Sequence, residues 1–147
     1  MTAADPPILV GQRVHGRSVF INCPFDDSYK PIFEAIVFGV IALGFDIRSA
    51  LSRDTGTEER LTKITSLIEE CGFGIHDLSF MRIDPGTRLP RYNMAFELGL
   101  FLGCCEYGVR RHAAKSCLIL DQQKMALPKV ALGLKRPGCA SARRQAF

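Results

Sequence analysis

Between residues 17 and 121 the chain alternates short β-branched, apolar runs with longer stretches of helical period, separated by polar turns that carry glycine or proline. Residues 17–22 (RSVFIN) read as a first strand, closed by the turn Cys-Pro-Phe-Asp-Asp at 23–27. Residues 29–43 follow as a helix that is apolar on nearly every side, with Ile32, Phe33, Ile36, Val37, Phe38, Val40 and Ile41. One sheet face cannot cover that circumference, so a second surface against this helix is expected. A second strand over 45–50 and a polar loop over 52–59 precede an amphipathic helix over 60–71, which puts Leu61, Ile64, Leu67 and Ile68 on one face. A third strand covers 72–79, and a loop with Pro85, Gly86 and Pro90 leads to a helix that begins near Asn93. SCLILD at 116–121 is a fourth strand. Three strand–helix crossovers in a row predict an α/β domain, a parallel sheet with helices on both faces.

Such sheets hold ligands outside the carboxyl ends of their strands. The polar residues expected there are Asn22, Asp26 and Asp27 after the first strand, Arg48 and Ser49 at the second, Asp77 and Ser79 at the third, and Asp121 at the fourth. No Gly-x-Gly-x-x-Gly follows the first strand and no Walker sequence occurs, so a dinucleotide oxidoreductase or a phosphate-loop enzyme is not expected.

Glu97 is the residue that needs explaining, a lone acid within the run MAFELGLFLGCC at 94–105. An unpaired buried carboxylate costs several kcal/mol or more, so an acid placed there pairs, escapes to an edge, or works. With Asn93 as N-cap, Glu97 falls at the start of its helix, where the helix dipole favours the ionised form. A carboxylate kept charged beside apolar walls suits a nucleophile or a group that stabilises a developing cation. The competing reading makes Glu97 a loop cap or the partner of an arginine such as Arg91. Bland alternatives stand beside the other candidates too. Asp77 can cap a loop, Asp26 and Asp27 can cap the helix that follows, and Arg48 and Arg53 can be solvated rather than bound to a diphosphate. Strand alternation turns His76 to the side of the sheet opposite Asp77, where it reads as a satisfied buried histidine.

Composition narrows the class. The 147 residues, 47% of them hydrophobic, suit one packed domain. Six cysteines without a Cys-x-x-Cys pair read as buried free thiols of a reducing compartment, and three histidines at no ligand spacing argue against zinc. The first 16 residues lack the basic and long apolar regions of a signal peptide, and no uncharged apolar run reaches the ~20 residues that span a bilayer, so a cytoplasmic protein without a membrane partner is expected. Charge is uneven: residues 1–109 carry 10 basic and 14 acidic groups, residues 110–147 nine basic and one acidic. The basic end has no aromatic interleaving, which argues against specific nucleic-acid recognition. The chain divides into an N-terminal tail at 1–16, an α/β domain at 17–123 and a basic, disordered tail at 124–147 with no convincing strand. That tail reads either as native or as the product of a reading-frame change near Lys124.

VFINCPF at 19–25, GIHDLS at 74–79 and NMAFELG at 93–99 together resemble TIR-like domains and the related nucleoside 2-deoxyribosyltransferase-like superfamily, over residues 17–121. The resemblance implies a flavodoxin-like doubly wound parallel sheet of four to five strands, truncated at its C-terminal edge if the tail replaces the last elements. It implies a ribose-holding pocket with Glu97 as the catalytic carboxylate, Asn93 as a ribose-hydroxyl or loop-ordering partner and Asp77 as a polar contact at the floor. Asn22, Asp26, Arg48 and Ser79 complete the expected substrate-binding set. Cleavage of an N-glycosidic bond passes through an oxocarbenium-like centre that a fixed anion stabilises. Nicotinamide departs neutral and needs little acid assistance, which favours NAD as substrate, with no cofactor, in a homo-oligomeric enzyme of bacterial defence. Base exchange between deoxyribonucleosides, or a non-catalytic nucleotide-sensing or assembly module, are the alternatives.

Overall fold

The computed structural model describes residues 16–49, 57–79, 86, 88, 92–121 and 139–143. Strands β1 (Ser18–Asn22), β2 (Asp46–Ser49), β3 (Phe73–Asp77), β4 (Ser116–Asp121) and β5 (Cys139–Arg143) form one sheet in the order β2-β1-β3-β4-β5. Every neighbouring pair is parallel. Helices α1 (Lys30–Ala42), α2 (Thr57–Glu70) and α3 (Tyr92–Tyr107) make the crossovers. The strand order and the helices on both faces define a flavodoxin-like α/β fold.

Strand alternation builds two cores. Phe20, Cys117 and Ile119 meet Ile64 and Ile68 of α2 and Leu98, Phe101 and Cys105 of α3. On the other face Val19, Ile21, Phe73 and Ile75 meet Val40, Ile36 and Val37 of α1. The ends of α1 are explained locally. A one-turn 3-10 helix, Asp27–Tyr29, leads in, and a proline lies at the start of α1, where its missing N–H is not needed. At the other end Gly44 adopts φ 76°, its N–H reaches the Ile41 carbonyl at 2.8 Å, and Phe45 N reaches the Val40 carbonyl at 3.0 Å. This is a Schellman closure, sealed by the packing of Phe45 on the core that holds Val40. The outer side of α1 leaves Phe38 at 75% exposure, Ile41 at 60% and Leu43 at 74%. Among the described residues no helix is long and apolar enough to cross a membrane.

Two expectations need correction. The basic tail is not without a strand, because β5 forms within it and pairs with β4 from Cys117↔Cys139 to Asp121↔Arg143. Its sequence, CASAR, lacks β-branched residues and aromatics, so the ladder to β4 supplies what propensity does not. Asn93 is not the N-cap of α3, since that helix already includes Tyr92 and Asn93 lies exposed in its first turn. Ala50, Arg53, Pro85, Pro90 and Arg91 fall outside the described residues.

Candidate functional site

The carboxyl ends of β1 and β3 and the first turns of α3 gather several buried polar groups at one end of the sheet. Glu97 lies one turn beyond Met94 in α3 and is 4% exposed. Its charged neighbour among the described residues is Arg60 of α2, whose Nη2 is 4.0 Å from Oε1. Burial pushes the Glu97 pKa up to about 7, and the Arg60 guanidinium only partly opposes this. Desolvation by the apolar surroundings outweighs the guanidinium and works against the ionised form that the helix dipole favours. Arg60, contributed by a different helix, is the arginine beside Glu97 among the described residues; Arg91 lies outside them.

Cys23, the residue after β1, is buried, and its thiol is pushed up to about 12 by desolvation first, then by the charges of Asp77 and Glu97. Those three groups therefore share one electrostatic environment. A thiol raised so far stays protonated and is unsuited to nucleophilic attack.

Asp77 is fully buried and spent on local order. It accepts from the Tyr29 hydroxyl, from the Ser79 hydroxyl, and from the Ser79 backbone N–H at 2.8 Å. The last bond is an Asx-type turn that sets the chain's exit from β3. Through Tyr29 the same carboxylate ties β3 to the entrance of α1, so the loop-capping reading describes its geometry. Ser79 is buried within that arrangement.

Asn22, 3% exposed, joins three elements. Its Nδ2 donates to the Met94 carbonyl at 2.8 Å and lies 3.1 Å from His76 Nδ1. His76 is fully buried and its pKa is lowered to about 3 by desolvation. The histidine was expected to be satisfied; it is so at Nδ1, whereas Nε2 has no hydrogen-bond partner among the described residues.

The remaining candidates stand apart. Asp26 precedes the 3-10 turn and accepts the Tyr29 N–H through its carbonyl at 2.8 Å, with no side-chain cap bond. Arg48, exposed on the edge strand β2 opposite Phe20, acts electrostatically on Cys71 at the foot of β3. The structure thus sets Asn22 with His76 against α3, and Asp77 and Ser79 with Tyr29 at the entrance of α1, with Cys23 in the field of both Asp77 and Glu97, and leaves Asn93 and Arg48 at the surface. No local pattern in the sequence marks Arg60 or Tyr29, whereas Cys23 is signalled by its position directly after a polar strand end.

At the opposite, amino end of the sheet lies a groove of about 430 Å3 lined by Ile68, Leu100, Cys104, Tyr107, Arg111 and His112. Among the described residues no group of three His, Cys, Asp or Glu side chains could hold a metal ion. Fold and site define an α/β protein with a buried, weakly compensated carboxyl at the carboxyl rim of a parallel sheet. No protein-family model matches this chain, and no curated protein matches it.

Proposed function

We propose that this chain is a nucleotide N-glycosidic hydrolase that cleaves the nicotinamide–ribose bond of NAD, with Glu97 as the catalytic carboxylate. The observation that carries the reading is Glu97 itself, buried to 4% exposure at the carboxyl end of the sheet, with a guanidinium 4.0 Å away as its charged neighbour among the described residues. The ionised form, set on the far face of the sugar, stabilises the oxocarbenium-like centre or captures it, while nicotinamide leaves as a neutral molecule. NAD is the substrate, and no further cofactor enters the reaction. The likeness to TIR-like enzymes supports a cytoplasmic, homo-oligomeric protein acting in bacterial defence, with Asn22 beside the substrate and Asp77 and Ser79 ordering the loop after β3.

One finding favours a second reading. A carboxyl titrating near 7 is partly protonated at neutral pH, and a nucleobase, unlike nicotinamide, needs a proton to depart. Base exchange between deoxyribonucleosides uses that protonated fraction. The deciding experiment incubates the purified chain with NAD and, separately, with a deoxyribonucleoside plus a free base, and analyses the products. Free nicotinamide supports the first reading and a new nucleoside the second. Neither product from a folded chain leaves a non-catalytic nucleotide-sensing or assembly module.

A further inference from the structure

The amide of Asn22 links β1, β3 and α3 through a single nitrogen, and this geometry dictates a protonation state. The Met94 carbonyl only accepts hydrogen bonds, so the group facing it at 2.8 Å is the amide nitrogen, which fixes the orientation of the side chain. The second hydrogen of that NH2 points to His76 Nδ1 at 3.1 Å, which takes it only when Nδ1 carries no proton. His76 is therefore a neutral imidazole with its hydrogen on Nε2. Apolar surroundings suit the neutral state: the ring lies against Phe20 and Phe101, with centroids 5.9 and 5.1 Å away, in a space that exists because residue 74 is glycine. A Cβ at Gly74 would come within 2.7 Å of Nε2 and 3.0 Å of the Phe101 ring. With both amide hydrogens committed, Oδ1 is the polar atom that Asn22 has left to offer. Met94, the other anchor, precedes Glu97 by one helical turn, so the same clasp fastens the turn that carries the carboxyl.

We propose that His76 is a positioning residue whose unprotonated Nδ1 holds Asn22 so that Oδ1 accepts a hydroxyl of a ribose-bearing ligand at the carboxyl ends of β1 and β3. The ligand class rests on the function proposed above; the clasp does not. Two substitutions separate positioning from packing. His76→Phe keeps a ring between Phe20 and Phe101 and loses the acceptor. His76→Asn keeps an acceptor close to the place of Nδ1 and loses the ring. Thermal melting should rank Phe above Asn, whereas substrate affinity should rank Asn above Phe. The KM for the substrate turned over, NAD or deoxyribonucleoside, rises about tenfold in His76→Phe and stays within about threefold of the parent in His76→Asn. Activity that follows the melting order instead overturns the proposal.

An arm independent of catalysis uses 15N NMR of the unmodified chain with ADP-ribose as probe. It should show His76 protonated at Nε2 only, a coupling between Asn22 Nδ2 and His76 Nδ1 across their hydrogen bond, and Asn22 amide signals that move as ADP-ribose is added. A proton on Nδ1 at neutral pH overturns the clasp. Absence of ADP-ribose binding, or Asn22 signals that stay put at saturation, overturns the role of Oδ1. Lack of cleavage together with ligand-dependent Asn22 shifts rejects the hydrolase reading and leaves the positioning role standing.

Discussion

Two buried ionisable groups sit at opposite ends of this sheet, and the fold treats them differently. Lys115, just ahead of β4, is 6% exposed, and its ammonium donates to the carbonyls of Ile68 at 2.7 Å, Glu69 at 3.2 Å and Cys71. Three donors meet three acceptors, all at the carboxyl end of α2, where the helix dipole welcomes a cation. The face of Phe101 lies 5.7 Å away and adds to the balance. Burial still lowers the Lys115 pKa, but the full set of bonds is available only to the charged form. Glu97 is just as buried and, among the described residues, has one half-exposed guanidinium at 4.0 Å to offset its charge. A charge whose hydrogen bonds are complete stabilises the fold. One left poorly compensated strains it, and such strain persists where the group has work to do.

The sharpest way to break this contrast is Glu97→Gln, which keeps the shape and removes the charge. Turnover should fall about a thousandfold or more, with an unaltered circular dichroism spectrum. Retained turnover would sink the catalytic assignment. The counterpart is Lys115→Met, which keeps the apolar stem and strands three carbonyls. It should lower stability by about 3 kcal/mol in urea titration, while Glu97→Gln is neutral or stabilising. If the two variants are equally destabilised, the distinction between a structural and a functional buried charge fails here.

The pH dependence follows from the direction of the Glu97 shift. Its folded pKa, about 7, lies above the ordinary value of 4.5, so the folded chain binds this proton more tightly than the unfolded chain does. The stability contribution is fully present below the unfolded value and is lost as pH rises through about 7. Subtracting the Glu97→Gln titration from that of the parent isolates this term. The parent should lose ground to the variant between pH 4.5 and 8, by about 3 kcal/mol at most. Parallel curves would show that Glu97 is ionised throughout.

Much of this was legible along the chain, for identifiable reasons. The four β-branched strands and three helices carry strong period signals, and their boundaries fall within a few residues of where periodicity places them. Glu97 stood out because an acid in an apolar run is conspicuous without any structure. Its ionisation was not legible: the dipole can be inferred from helix position, but the desolvation that opposes it comes from packing, and Arg60 arrives from another helix. The Asn22 clasp joins residues 54 and 72 positions apart, which no local pattern reveals. Strand β5 escaped notice because small residues at a sheet edge leave almost no signal.

The finest test of the comparison is Arg60→Gln. Its guanidinium is 52% exposed, and at 4.0 Å from Oε1 it acts through a solvent-screened field rather than a close bidentate bond. Removing it should raise the Glu97 pKa further, by less than about one unit, and change stability by no more than about 0.5 kcal/mol. Carbon-13 NMR titration of the Glu97 carboxyl reads this shift directly. Raising the salt concentration on the parent chain should reproduce part of it, because screening weakens the same interaction. A shift of two units or more, or loss of the fold, would show that Arg60 and Glu97 form a structural ion pair. Glu97 would then be as well compensated as Lys115, and the case for its catalytic role would lose its physical basis.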